Sequence, residues 1–130
     1  MTRIGNLFGP DFTFLGVPAA DLDEPASYAA ADVVVLGAPF DGGTSYRPGA
    51  RFGPPAIRST DYLPHDGSRP SLALRTDALQ DLNVVDVGDL EIYAGDIERS
   101  LAQIREAVAV VAAAGAIPVV LGGDHSITFS

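Results

Sequence analysis

Three short apolar runs constrain the fold of this chain more than any other feature of its sequence. They are residues 32–37, 82–89 and 117–121, each is rich in Val, Ile or Leu, and the first is a continuous β-branched run instead of an alternating one. Continuous runs of this length are typical of strands that are buried on both faces, as in a parallel sheet. The sequence therefore predicts an α/β fold built on a parallel sheet.

The segments between these runs carry helix signals. Residues 54–58 predict a helix start, with proline in the first turn. A longer helix is predicted after Asp96, whose carboxylate can accept from the exposed amides of the first turn, and Gly115 is expected to end it in a left-handed conformation. The apolar residues of that helix recur at helical spacing, at Ile97, Leu101, Ile104, Val108 and Val111. The alternation of strands and helices favours right-handed crossovers and helices on both faces of the sheet.

The first 30 residues differ from the rest of the chain. Residues 1–30 show no sustained period and are predicted to form an irregular N-terminal arm with an apolar side at Phe8, Phe12, Phe14 and Leu15. Residues 31–130 hold all the predicted strands and helices and are expected to form one domain unit. Within that unit, residues 61–76 are interpreted as a loop.

Composition excludes several classes of partner and site. With 8 basic and 17 acidic residues the formal net charge is -9, which disfavours nucleic acid and is compatible with a cationic substrate. The chain has no cysteine, so any metal would be held by histidine and carboxylate. Neither a secretory signal nor an apolar stretch of the roughly 20 residues that span a bilayer is present in the sequence. A cytoplasmic protein without membrane contact is the expectation.

All three predicted strands end in glycine-bearing turns with a carboxylate. The third ends in Gly122-Gly123-Asp124-His125 and so carries a histidine as well. Because ligands of open α/β sheets bind outside the carboxyl ends of the strands, these residues are expected to meet at one rim. His125 can be a metal ligand or base presented on a tight turn, with Asp124 orienting its imidazole. It can equally be a bystander beside a capping aspartate, and the residues alone leave both interpretations open.

Three other aspartates and the second histidine are weaker candidates. Asp86 lies inside a predicted strand and is expected to make a buried hydrogen bond or to face the rim. Asp41 and Asp89 are interpreted as turn residues that bond the local backbone. His65 is expected to be a solvated loop histidine.

The loop after the first strand combines glycines with basic residues. Gly42-Gly43-Thr44-Ser45 lacks the spacing and the lysine of a phosphate-binding loop, which makes phosphate binding a minor hypothesis. Arg47, Arg51 and Arg58 cluster around it. They are expected either to be solvated or paired with the acidic excess, or to close against a rim carboxylate or a subunit interface.

Three segments together resemble the ureohydrolases, the superfamily of arginase, agmatinase and formimidoylglutamase. Residues 40–58 (FDGGTSYRPGARFGPPAIR) resemble the N-terminal signature of the agmatinase branch. Residues 82–90 (LNVVDVGDL) resemble the second strand of that family, and residues 119–126 (VVLGGDHS) are similar to its first metal-ligand motif. The three segments occur in the family's order, which makes the resemblance specific.

The resemblance implies a fold, a cofactor and a reaction. The implied fold is a three-layer α-β-α arrangement with a central parallel sheet, like that of arginases and deacetylases. The implied cofactor is a binuclear Mn2+ site with His125 as its first metal ligand. The implied enzyme is agmatinase-like: it hydrolyses a small cationic guanidino substrate to urea and an amine in polyamine metabolism, and works as a trimer or hexamer.

The sequence also departs from the family pattern. Two later ligand motifs, Asp-Ala-His-x-Asp and Ser-x-Asp-x-Asp-x-x-Asp-Pro, do not occur in it. Residues 31–130 are therefore expected to be the N-terminal part of a ureohydrolase domain, with an incomplete fold and no activity on its own. The alternative is a non-catalytic α/β module that binds a ligand or a partner.

Overall fold

A three-stranded parallel sheet lies at the centre of the computed structural model, which describes residues 12–60 and 70–130. Its strands are β1 (Val33–Ala38), β4 (Val84–Asp89) and β5 (Ile117–Gly122), in the order β4-β1-β5. Val33 of β1 pairs with Val84 on one side and with Ile117 on the other, and Ala38 pairs with Gly122. The three predicted strands and their parallel direction are confirmed.

The remaining regular elements are short except for one helix. They are α1 (Gly53–Ser59), β2 (Pro70–Ser71), β3 (Thr76–Asp77), α2 (Ala78–Asp81) and α3 (Ile97–Ala113). In addition, 3-10 turns cover Phe14–Gly16, Pro25–Ser27, Ala50–Phe52 and His125–Phe129. The loop predicted over residues 61–76 is wrong at its end, because β2 and β3 pair there as a small antiparallel hairpin. His65 lies outside the described residues.

The helix α3 begins and ends where the sequence predicts. The Asp96 side chain accepts a hydrogen bond from the Arg99 amide at 2.9 Å, and Gly115 has a φ of 87° just after the helix. The buried residues of α3 are Ser100, Ile104, Ala107 and Val111, and the predicted Leu101 and Val108 pack partly buried against the same core. Ile97 is 47% exposed, so its predicted place on the buried face is wrong.

The sheet is covered on both faces. On one face Val34 and Leu36 pack with Ile104, Ala107 and Val111 of α3. On the opposite face of β1 a Cβ at Gly37 would meet Asp89 and Arg58, and Arg58 belongs to α1. Alternate residues of a strand point to opposite faces, so α1 and α3 lie on opposite sides of the sheet. This is the three-layer α-β-α arrangement expected from the family resemblance.

The described part of the N-terminal arm packs against β4. The Ala20 amide donates to the Asp86 carbonyl at 2.9 Å, and the Asp86 amide donates to the Pro18 carbonyl at 3.0 Å. Leu22 and Tyr28 are buried in the core of the domain. Residues 12–30 therefore cover the edge of the sheet at β4, while the division of the chain between residues 30 and 31 stays a prediction.

Across residues 12–60 and 70–130, no helix combines the length and the apolarity needed to cross a bilayer.

Candidate functional site

The carboxyl ends of the three strands meet at one rim, as predicted. Ala38, at the end of β1, is paired with Gly122 of β5, and Gly37 is paired with Asp89 of β4. The segment that follows β1 then crosses to the turn that follows β5, because the Asp124 amide donates to the Phe40 carbonyl at 2.8 Å. The rim is thus closed by backbone contacts between segments that are far apart in the chain.

Glycine is required where these segments touch. Gly123 has a φ of 91°, and a Cβ there would lie 2.8 Å from the Phe40 carbonyl oxygen and against that of Ala38. A Cβ at Gly43 would overlap the Ser126 hydroxyl and lie 3.2 Å from the Asp124 carboxylate. Any side chain at Gly123 would force the segments apart, while one at Gly43 would require the Ser126 side chain to move. The expected role of the glycines, close backbone approach, is confirmed.

Asp124 holds the turn that carries His125. Its Oδ1 accepts from the Ser126 amide at 2.7 Å, and its Oδ2 accepts from the Gly43 amide at 2.8 Å. The first bond caps the 3-10 turn His125–Phe129, and the second ties that turn to the loop after β1. The capping interpretation of Asp124 is therefore confirmed. His125 itself is exposed at the start of the turn, where its ring is accessible from solvent.

Asp41 organises the loop that faces this turn. Its Oδ2 accepts from the Gly49 amide at 2.9 Å and from Nη1 of Arg51 at 2.9 Å. Desolvation by burial acts to raise the pKa of Asp41, but the hydrogen bonds from Gly49 and Arg51 and the Arg51 charge outweigh it and lower the pKa below its ordinary value. The expected local backbone bonding of Asp41 is confirmed.

A buried ion cluster lies beneath the rim. Arg58 of α1 donates from Nε and Nη2 to the two oxygens of Asp86 at 2.8 and 2.9 Å, and from Nη1 to Asp89. All three side chains have 0% exposure. Asp86 accepts in addition from the amides of Phe14 and Gly88, each at 2.8 Å. The cluster therefore joins α1, β4 and the N-terminal arm at one buried point.

These contacts decide between the alternatives for the charged residues. Arg58 closes against rim carboxylates, and Asp86 makes buried hydrogen bonds, both as anticipated. Asp89 is not a turn residue, so that prediction is wrong: it ends β4 and accepts a hydrogen bond from Arg58, which lies 31 residues earlier. Desolvation acts to lower the pKa of Arg58, but the bonds and charges of Asp86 and Asp89 outweigh it and raise the pKa. This guanidinium is charged at every accessible pH.

A cavity of about 460 Å³ opens beside the loop after β1. Its walls include Phe40, Asp41 and Arg51 from that loop, and Tyr93, Asp96 and Ile97 from the start of α3. Sequence reasoning missed this site. The signal in the sequence was a group of aromatic and apolar residues, at positions 92, 93 and 97, on both sides of the helix cap Asp96.

The described residues do not form a metal centre on their own. Imidazole and carboxylate are donors that Mn2+ accepts, and His125 is accessible. Within residues 12–60 and 70–130, however, no group of three or more histidine, cysteine or acidic residues is placed to hold a metal ion. Both Asp124 oxygens already bond backbone amides. This part of the chain offers one candidate ligand to a metal and does not complete a site.

A profile of the arginase family matches residues 31–130. A proclavaminate amidinohydrolase from Streptomyces clavuligerus is 38% identical over 132 residues, covering 98% of this chain and 40% of its own length. A mitochondrial guanidino acid hydrolase from Homo sapiens is 41% identical, with coverage of 75% and 27%. A mitochondrial agmatinase from Gallus gallus is also 41% identical, with coverage of 75% and 28%.

Solved structures of proteins with similar names also superpose on this chain. The chain superposes on a proclavaminate amidinohydrolase from Streptomyces clavuligerus with a TM-score of 0.72 and 36% identity, covering 93% of this chain and 38% of the other. It also superposes on a Trypanosoma cruzi formiminoglutamase determined with Mn2+, with a TM-score of 0.64, 31% identity and coverage of 91% and 38%. The chain spans between 27% and 40% of the length of the three curated relatives.

Proposed function

This chain belongs to the arginase family, and we propose that the protein containing it is a manganese-dependent amidinohydrolase of the agmatinase type. The observation that carries the proposal is the rim turn, in which His125 stands accessible at the end of β5 on a turn fixed by Asp124. The relatives support the reaction class, because they are named as an amidinohydrolase, a guanidino acid hydrolase and an agmatinase.

In the proposed reaction, water adds to the central carbon of a guanidinium group. The bond from that carbon to the substrate nitrogen breaks, that nitrogen takes up the two protons of the water, and the products are urea and an alkylammonium ion. Atoms and charge balance without an oxidant or any further reactant. When bound, Mn2+ would lower the pKa of a water molecule that it binds, so that hydroxide is available near neutral pH.

The residues of this chain have supporting roles in the proposal. His125 is proposed as one metal ligand, with the remaining ligands of a binuclear site supplied from outside the described residues. Asp124 is proposed to fix the position of His125 through the turn and the Gly43 amide, without binding the metal itself. The net charge of -9 is compatible with a cationic substrate.

Urea release tests this function. A full-length protein that contains these 130 residues should release urea from agmatine, guanidinobutyrate or guanidinopropionate, and a chelator should abolish the release until Mn2+ is restored. The 130-residue chain alone should release none under the same conditions. Release that is unaffected by the chelator, or urea produced by the isolated chain, would contradict the proposal.

A second candidate is a non-catalytic binding or interaction module. Among the described residues β5 has a strand partner only at β1, and Ile117 and Val119 are 64% and 38% exposed. An exposed strand edge with apolar residues is a pairing surface. A monodisperse, folded chain that captures a defined partner without metal would favour this candidate.

Three features of the proposed enzyme stay predictions: its cytoplasmic location, its assembly as a trimer or hexamer, and its role in polyamine metabolism. Light scattering of the full-length protein would measure the assembly.

A further inference from the structure

Two segments of the loop after β1 hold the His125 turn, residues 122–129. The first segment, residues 40–43, contacts Asp124 twice. The Phe40 carbonyl accepts from the Asp124 amide at 2.8 Å, and the Gly43 amide donates to Oδ2 of Asp124 at 2.8 Å. Because Asp124 directly precedes His125, these two bonds restrain the backbone from which the imidazole projects.

The second segment, residues 49–53, contacts the glycine pair at the start of the same turn. The Ala50 carbonyl accepts from the Gly123 amide at 3.3 Å. A Cβ at Gly53 would overlap the Gly122 carbonyl oxygen, so the two backbones are in direct contact there. The His125 turn is therefore held by both ends of one loop.

Asp41 joins the two segments to each other. Its Oδ2 accepts from the Gly49 amide at 2.9 Å, from the Arg51 amide at 3.4 Å and from Nη1 of Arg51 at 2.9 Å. The Asp41 side chain is 15% exposed, so water competes only partly for these bonds. Residues 45–48 between the segments are exposed, with Tyr46 at 82%, and bury little surface that could hold the loop closed.

From these contacts we infer that Asp41 is a positioning residue for His125. It acts through the two segments and keeps the His125 turn in one conformation before any ligand binds. Without its carboxylate the second segment is released from the first, and the turn samples more orientations. A metal ligand that must be ordered on binding loses affinity, because the ordering cost is subtracted from the binding free energy. The consequence for metal rests on the proposed role of His125, whereas the restraint of the turn does not.

Two other roles of Asp41 lead to different results. If Asp41 only stabilised the fold, its loss would raise hydrogen exchange throughout the domain without a selective effect on the His125 turn. If Asp41 contacted the substrate, its loss would raise KM even when the metal is saturating.

Hydrogen exchange of the metal-free, full-length protein, followed by mass spectrometry of its peptides, tests the restraint. Asp41→Ala should speed the exchange of residues 122–129 about tenfold, the effect of losing one hydrogen bond to a charged group. A peptide from α3 should keep its rate. Asp41→Asn keeps an acceptor oxygen for the Gly49 or Arg51 donors, and should give a smaller increase than Asp41→Ala.

Asp32→Ala is the matched control. Asp32 also joins distant parts of the chain, because its Oδ2 accepts from the Asn83 amide at 2.7 Å. It directly precedes β1 and so lies at the opposite end of the sheet from the His125 turn. Asp32→Ala should therefore leave both the exchange of residues 122–129 and the affinity for Mn2+ unchanged.

The affinity of the full-length protein for Mn2+ tests the consequence for the metal. Asp41→Ala should weaken Mn2+ binding, measured by isothermal titration calorimetry, by about tenfold, which is typical when a group that orients a metal ligand is removed. Asp41→Asn should restore part of the affinity. With Mn2+ saturating, KM for a guanidino substrate should stay unchanged.

The inference is overturned if Asp41→Ala leaves the exchange of residues 122–129 unchanged, or speeds the exchange of α3 equally. It is also overturned if His125→Ala lowers the affinity for Mn2+ and Asp41→Ala does not. A raised KM at saturating Mn2+ would place Asp41 against the substrate and would overturn it as well. If His125→Ala itself leaves Mn2+ affinity unchanged, the proposed function fails, and the exchange result alone decides whether Asp41 positions the turn.

Discussion

Replacing Arg58 by methionine should be among the most damaging single changes in this chain. Methionine has comparable length but no charge and no donor, so the helix α1 keeps its apolar contacts. Among the described residues, the change leaves Asp86 with its two amide donors, Phe14 and Gly88, and it removes the Arg58 guanidinium from Asp89. Two carboxylates with 0% exposure would then share a dry site.

The size of the effect follows from this burial. Removing one partner of a buried ion pair costs about 3–5 kcal/mol, because the remaining charge is neither solvated nor paired. Domains of this size are stable by only about 5–15 kcal/mol. We therefore expect Arg58→Met to remove a large part of the free energy of unfolding, or to unfold the chain.

Urea denaturation followed by circular dichroism measures the change. Arg105→Met is the matched control, because Arg105 is exposed on α3 and surface substitutions usually change stability by less than about 0.5 kcal/mol. A loss below about 1 kcal/mol in the free energy of unfolding of Arg58→Met would refute the reasoning. It would mean that water or another group stabilises the two carboxylates when the guanidinium is removed.

A double-mutant cycle sharpens the test. In the unmodified chain Asp89→Asn removes a charge that Arg58 compensates, so it should not stabilise the fold. After Arg58→Met the same change relieves repulsion between two buried carboxylates, and should be less costly or even stabilising. Equal effects of Asp89→Asn in both backgrounds would show that the two residues do not interact.

Three further predictions concern the rim and the helix cap. Asp124→Ala should speed hydrogen exchange of the Gly43 amide, because this amide loses its acceptor. Unchanged exchange would contradict the hydrogen bond between the loop after β1 and the His125 turn. Asp96→Ala should cost about 1 kcal/mol in urea unfolding, while Asp96→Asn should cost much less, and equal losses would argue against the cap. Because the folded pKa of Asp41 is lowered, its stabilisation of the loop is present above the unfolded pKa of about 3.9 and is lost as the pH falls through the lower folded value. The Gly49 amide signal should therefore titrate with a midpoint below 3.9, and a midpoint above it would contradict this assignment.

Local sequence signals predicted the elements well. The β-branched runs, the cap at Asp96 and the left-handed Gly115 depend on neighbouring residues, and all were confirmed. The convergence of strand ends followed from parallel topology alone. The His125 turn was located on the same basis, since a glycine pair after a buried strand indicates a tight turn at the rim.

Contacts between distant residues were predicted less completely: closure of Arg58 against a rim carboxylate was one of the open alternatives, but its partners were not identified. Asp89 was assigned local bonds because nothing near it in sequence points to Arg58. The exposure of Ile97 had a similar cause, since its neighbours Tyr93 and Asp96 form a cavity that periodicity does not reveal. Such features depend on how loops cross the rim, which is set by tertiary packing.

Metal content after substitution of the histidines tests the central proposal most directly. In a full-length protein that contains these residues, His125→Ala should lower both bound manganese, measured by mass spectrometry of the metal, and urea release. His65→Ala, in the loop predicted to be solvated, should leave both unchanged. Full manganese occupancy and unchanged urea release in His125→Ala would contradict the assignment of His125 as a metal ligand.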